Sequence, residues 1–256
     1  RPGIYTYVWN KLFKRELLYL VQMNVDNRIS IGEDAAVTYP ALLKCNRICI
    51  TDNTAYHYRQ HNSSMLKKNN LLSNEILKLK YLYEYMETWA ETESSYRISS
   101  QIEDFILSIC MIRSGGQLDC SNTRCTYLAF DEKYIGKSVV VYSAGTFGQQ
   151  LIHRLKEKGC CNIAGWLDDD YWEYRRCCLE VDPIESITTL TFDYVLIAAV
   201  DPSVIHNAVK RLLDLGVSGD KLLTVSVPKE KEGLIRRFLD VEALKTEKKR
   251  MGGDIA

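Results

Sequence analysis

The chain has 256 residues, room for one large domain or two modest ones, which excludes a short disulfide-stapled scaffold. Thirty-three Lys plus Arg balance 33 Asp plus Glu, so no global field draws nucleic acid or an anionic membrane, and any polyanion has to be met locally. Hydrophobic residues at 46% and charged residues at 26% fit a folded globular chain and lie outside the regime of disorder.

The longest apolar run, Tyr194–Val200, is far short of the roughly 20 residues that a membrane-spanning helix needs. Nine Cys, an odd number, include the adjacent pairs Cys160-Cys161 and Cys177-Cys178. With no signal peptide this usage suits a reducing cytoplasm better than a disulfide framework. The opening Arg1-Pro2-Gly3 lacks Met and a pattern is already running a few residues on, so the sequence reads as a piece of something longer.

Apolar spacing predicts a helix over Val8–Leu20 and another over Asp34–Leu43, with a strand over Arg47–Asp52. From Asn70 to Arg113 two helices form a hairpin or bridge, the first carrying Leu77, Tyr81, Tyr85 and Trp89 as its core face. Ser114-Gly115-Gly116 stops the second, and the polar stretch to Lys137 reads as a linker. Beyond it the pattern alternates: strand Ser138–Tyr142, helix Thr146–Lys158 closed by Gly159, strand Asn162–Leu167, strand Phe192–Val200, helix Ser203–Leu215 ended by Gly216. That alternation predicts an α/β domain, a Rossmann-like parallel sheet with crossover helices. Lys229–Arg250 places Leu234, Phe238 and Val241 on one face of a surface helix that docks on the domain. The segments are then 1–66, a helical bridge and linker over 67–130, the Rossmann-like domain over 131–228, and an amphipathic helix and tail over 229–256.

Two constellations carry chemistry. Gly32-Glu33-Asp34 follows Ile29 and Ile31 and heads a helix, so a carboxylate stands at a helix N-terminus, where the ionised form is favoured and Asp34 can serve simply as the cap. About 20 residues on, Tyr56-His57-Tyr58-Arg59-Gln60-His61-Asn62-Ser63-Ser64 combines groups that can bind diphosphate oxygens. Trp9-Asn10-Lys11-Leu12, then Ile31-Gly32-Glu33-Asp34, then Tyr56-His57-Tyr58-Arg59 with Ser64, resembles in order and spacing the distal half of family-two glycosyltransferases with the GT-A fold.

The resemblance implies a partial GT-A acceptor-side lobe in which Asp34, beside Glu33, is the general base toward a glycan acceptor. It further implies that Arg59, His61 and Ser64 approach the departing diphosphate of a nucleotide-sugar donor or its metal, and that Trp9 and Asn10 lie on the acceptor side. The family's divalent ion, Mg or Mn, is held by an Asp-x-Asp motif in a preceding strand-rich half, with His61 as a further metal contact. That half is missing here, and Asp168-Asp169-Asp170 lies in the wrong place to replace it. The expectation is an inverting transferase of surface polysaccharide synthesis, cytoplasmic and at the inner membrane face. These 256 residues by themselves are expected to be inactive and to hold no tightly bound cofactor. The oligomeric state stays open.

The second constellation is Val139–Tyr142 running through Ser143-Ala144-Gly145-Thr146-Phe147-Gly148 into a helix, one substitution from the dinucleotide fingerprint. Gly145 permits close backbone approach, Gly148 close helix packing, and Asp168 ends the next strand where a ribose-binding acid belongs. Ser143 stands where the first glycine would make the tight turn. This half is similar to Rossmann-like domains fused to sugar-modifying enzymes and some methyltransferases. A structural or docking role, a nucleotide or nucleotide-sugar ligand, and redox chemistry all remain open for it. Adjacent cysteines diverge in extended chain, which disfavours zinc.

Overall fold

The computed structural model describes residues 6–51, 72–92, 99–120, 125–226 and 233–252. Among them four helices come first, α1 (Arg15–Gln22), α2 (Glu33–Lys44), α3 (Leu72–Thr92) and α4 (Ser99–Arg113), then a short pair of strands, β1 (Gln117–Cys120) and β2 (Cys125–Leu128). Strands and helices then alternate as β3 (Ser138–Tyr142), α5 (Thr146–Lys158), β4 (Asn162–Leu167), α6 (Tyr171–Arg176), β5 (Tyr194–Ile197), α7 (Pro202–Asp214) and β6 (Leu222–Leu223). Helix α8 (Leu234–Gly252) follows. The chain forms two compact units, residues 1–106 with 235–256 and residues 107–234, so the C-terminal helix shares a unit with the first helices.

The first unit is helical. Val8–Leu20 is not one helix. Lys14 is extended, and before it Lys11 closes a turn, its N–H donating to the Val8 carbonyl at 3.1 Å and its Nζ to the Tyr7 carbonyl at 2.6 Å. Helix α2 buries Ala35, Ala36, Thr38, Pro40 and Ala41, while α3 buries Ile76, Leu79, Leu82, Tyr83 and Met86. The stripe expected to be the core face, Leu77, Tyr81, Tyr85 and Trp89, is only half-buried. Helix α3 is apolar on two sides, and the second side is roofed by cations: the Arg28 guanidinium lies 4.0 Å from the Tyr81 ring centre and the Lys44 ammonium 5.1 Å from that of Trp89.

Residues 47–51 join no strand ladder among the described residues, and Ile48 and Ile50 stay exposed; Asp52 lies outside those residues. Helix α8 buries Ile235, Phe238, Leu239 and Ala243, whereas Val241 is only half-buried. Lys80 pairs with Asp240 at 2.7 Å and Arg236 pairs with Glu87, which fixes α8 against α3 in register. Such exposed pairs contribute about 0–1 kcal/mol each, so apolar burial holds this helix.

The second unit is α/β. Its four-stranded sheet has the order β4-β3-β5-β6 and every pairing is parallel, the Rossmann-like arrangement. The strand over Phe192–Val200 is confined to Tyr194–Ile197, the residues in ladder register with β3, where Val139↔Tyr194 begins and Tyr142↔Ile197 ends the pairing. One face buries Val140, Tyr142, Leu167, Ile184, Val195, Ile197, Ala208 and Leu212 in a single cluster. Helix α7 starts where Asp201 accepts from the Ser203 N–H at 2.7 Å, with Pro202 following in the first turn. The stretch read as a linker contains a strand pair, in which β1 and β2 run antiparallel from Gln117↔Leu128 to Cys120↔Cys125. Arg154 of α5, itself buried, donates to the Gly115 carbonyl at 2.8 Å and ties this hairpin down. No helix of the described residues is long and apolar enough to cross a membrane.

Phe238→Ala should lower stability by about 3–5 kcal/mol, read as a fall in the urea midpoint of the helical unit. Lys80→Ala, which removes an exposed ion pair, should cost no more than about 1 kcal/mol in the same measurement.

Candidate functional sites

In the helical unit the site is built around the start of α2. Gly32, not Asp34, is the cap residue, with φ of 70° in the left-handed region that glycine tolerates. A Cβ there would also come within 2.6 Å of Leu82 Cδ2, so both conformation and packing demand glycine. Glu33 and Asp34 therefore occupy the first turn, where the unpaired N–H groups favour negative charge. Glu33 is exposed and Asp34 half-buried.

Lys11, in the turn before α1, lies within electrostatic reach of Asp34. Thr38 Oγ1 of α2 donates to the Thr6 carbonyl at 2.7 Å and fixes the start of that segment, and Trp9 stacks on Tyr7 with ring centres 5.3 Å apart. Lys11 Nζ donates to Asn10 Oδ1 at 2.7 Å. Burial pushes the Lys11 pKa down, and the negative charge of Asp34 acts against that shift. Asp34 thus acts electrostatically on Lys11, a residue that the sequence motif contained without a role. Arg59, His61 and Ser64 lie outside the described residues. No group of three or more His, Cys, Asp or Glu that could hold a metal ion exists among the described residues.

In the α/β unit the chain turns from β3 to opposite sides of the sheet, reaching β4 on one flank and β5 on the other. The carboxyl ends of β3 and β5 therefore form a topological switch point. Ser143 follows β3 with φ of 87°, a conformation that side chains rarely adopt. The tight turn forms despite the missing glycine, at the cost of local strain. Its carbonyl accepts from Trp166 Nε1 at 2.9 Å, and a Cβ on Gly148 would overlap that same carbonyl oxygen. Around Gly145 there is more room, with Tyr174 Oη 3.9 Å from where a Cβ would stand.

Asp168 is held inward. Its carboxylate accepts from the Ala144 N–H at 2.6 Å and from the Asp170 N–H at 2.8 Å. Burial raises the Asp168 pKa, with Asp170 and Asp169 adding to the rise and the two N–H donors opposing it. Burial, with help from Asp168 and Asp170, pushes Tyr174 up to about 12. Asp169 faces a different set: it accepts from Tyr142 Oη at 2.8 Å and pairs with Arg211 at 2.6 Å, while Arg211 also reaches Glu185 at 2.8 Å. Neighbouring acids that read as one motif in sequence are thus directed to separate partners. Tyr142 and Arg211 were missed in the sequence because the contact unites two strands and a distant helix, with no local spacing to mark it.

Ser143→Gly should stabilise the α/β unit by about 1 kcal/mol by releasing the left-handed strain, and Gly148→Ala should destabilise it by about 1–3 kcal/mol or more, both read from urea midpoints. In a carboxyl-carbon NMR titration Asp168 should protonate at a pH above the ordinary aspartate range, with the Ala144 amide shift following it. Because the native acid holds its proton to higher pH than the unfolded one, its contribution to stability falls as pH rises through that window. Compared with known proteins, the chain matches no family model, no curated protein and no solved structure.

Proposed function

We propose that residues 6–51 form the acceptor side of an inverting glycosyltransferase that moves a sugar from a nucleotide-diphosphate donor to a glycan hydroxyl. The surface-polysaccharide setting at the inner membrane face belongs to the same proposal. The observation that supports it is the half-exposed Asp34 carboxylate in the first turn of α2, within electrostatic reach of Lys11.

The chemistry asks little more of the base than this. The acceptor O–H gives its proton to Asp34 while its oxygen forms the new bond to the anomeric carbon. The bond from that carbon to the diphosphate breaks on the opposite face, its electron pair leaving with the diphosphate, so the centre inverts. A positioned carboxylate of this kind contributes about 10²–10⁴-fold. A divalent ion would neutralise the leaving diphosphate in such a reaction. The described residues offer no ligand cluster for one.

The rival reading, a nucleotide-binding module in the α/β unit, has weaker support. The Ala144 N–H, which a pyrophosphate would need, already serves the Asp168 carboxylate.

In a protein carrying this chain together with a nucleotide-sugar-binding half, Asp34→Asn should lower turnover by about 10²–10⁴-fold and leave donor affinity unchanged. Turnover retained by that variant would remove Asp34 from the mechanism.

A further inference from the structure

Helix α6 carries an aromatic surface that neither constellation uses. Trp172 is 65% exposed, an unusual position for so large a side chain. It is also held in place. Its ring stacks on Tyr171 at 5.7 Å with an interplanar angle of 13°, and the Arg175 guanidinium lies 5.3 Å from the Tyr171 ring centre. Arg175 in turn donates to the Val181 carbonyl at 2.7 Å and pairs with Asp182. A flat apolar face is thus presented to solvent already ordered, and little rotamer entropy remains to be lost when something covers it.

Beside it stands Asp170, the residue preceding Tyr171, exposed and with no side-chain hydrogen bond or ion pair among the described residues. Of the six acids in residues 168–182, Asp169, Glu173 and Asp182 are ion-paired with Arg211, Arg176 and Arg175, which leaves Asp168, Asp170 and Glu180 with no arginine partner among the described residues. That charge repels a phosphate-bearing ligand and leaves carboxylate oxygens that only accept hydrogen bonds. A neutral pyranose has the complementary features, a C–H face for the indole and hydroxyls that donate to Asp170.

We infer that Trp172, Tyr171 and Asp170 form a glycan-binding platform for neutral pyranose chains. This rests on the transferase reading and assigns to the α/β unit the holding of the acceptor polymer. Covalent linkage to the rest of the chain raises the local concentration of that polymer without requiring any particular placement of the two units.

Affinity electrophoresis of the full chain tests it, in gels containing hydroxyethylcellulose, galactan, mannan or glycol chitin. Retardation by at least one of these is expected. Trp172→Ala, an exposed change whose fold is checked by far-UV circular dichroism, should weaken that retardation by about tenfold or more, and Asp170→Asn severalfold. Free migration in all four polymers would overturn the proposal, as would retardation unchanged in Trp172→Ala. Quenching of Trp172 by uridine diphosphate in place of any polymer would assign the platform to a nucleotide and overturn it equally. No donor is present, so a failure of transfer at Asp34 and a failure of the platform give different results.

Discussion

The α/β unit depends on a close approach between backbones at the end of its first sheet strand. The Ser143 carbonyl and the Cα of Gly148 come so near that no side-chain carbon fits between them, and this contact sets the angle at which α5 leaves β3. Trp166 donates to the same carbonyl from the neighbouring strand, and Ala144, the next residue, donates to Asp168. One turn therefore joins β3, α5 and β4. Ser143 is strained because these partners over-determine its conformation. The turn occupies the place where a parallel sheet of this order usually receives a ligand, yet its polar groups are largely spent on internal contacts.

The helical unit solves a different problem. Its aromatic-rich α3 has more apolar surface than one neighbour can cover. Aliphatic side chains and Tyr83 take the interior, and Tyr81 and Trp89 are covered by Arg28 and Lys44, whose charged ends keep contact with water. Gly32 lies against Leu82 on this same helix. The start of α2 thus packs directly on α3.

Much of this was legible in the sequence wherever local pattern and global fold agree. The Val139–Val141 run, the glycine at 159 and the apolar spacing of Phe147, Leu151 and Leu155 define β3 and α5 to the residue, because a buried parallel strand and its crossover helix admit few alternatives. Asp34 at a helix start was equally legible. The Tyr81–Trp89 stripe misled because periodicity counts apolar residues without distinguishing those that pack inward from those roofed by cations. The β1–β2 hairpin escaped because each strand has only four residues, the shortest span over which the alternation of Gln117, Leu118, Asp119 and Cys120 can be read. The Asp169–Arg211 pair and the Trp172 platform depend on side-chain placement in three dimensions, which spacing does not encode.

The connectivity of the two units carries a consequence for biogenesis. Residues 107–234 are continuous, whereas the helical unit is interrupted and recovers its last buried face only from residues 235 onward. On the ribosome the parallel sheet can close as soon as its own residues have emerged. The helical unit must wait, its α3 surface uncovered, until Ile235, Phe238 and Leu239 are synthesised. During that interval the flank of α3 that α8 later covers stands open, an apolar surface of the kind that aggregates when left exposed.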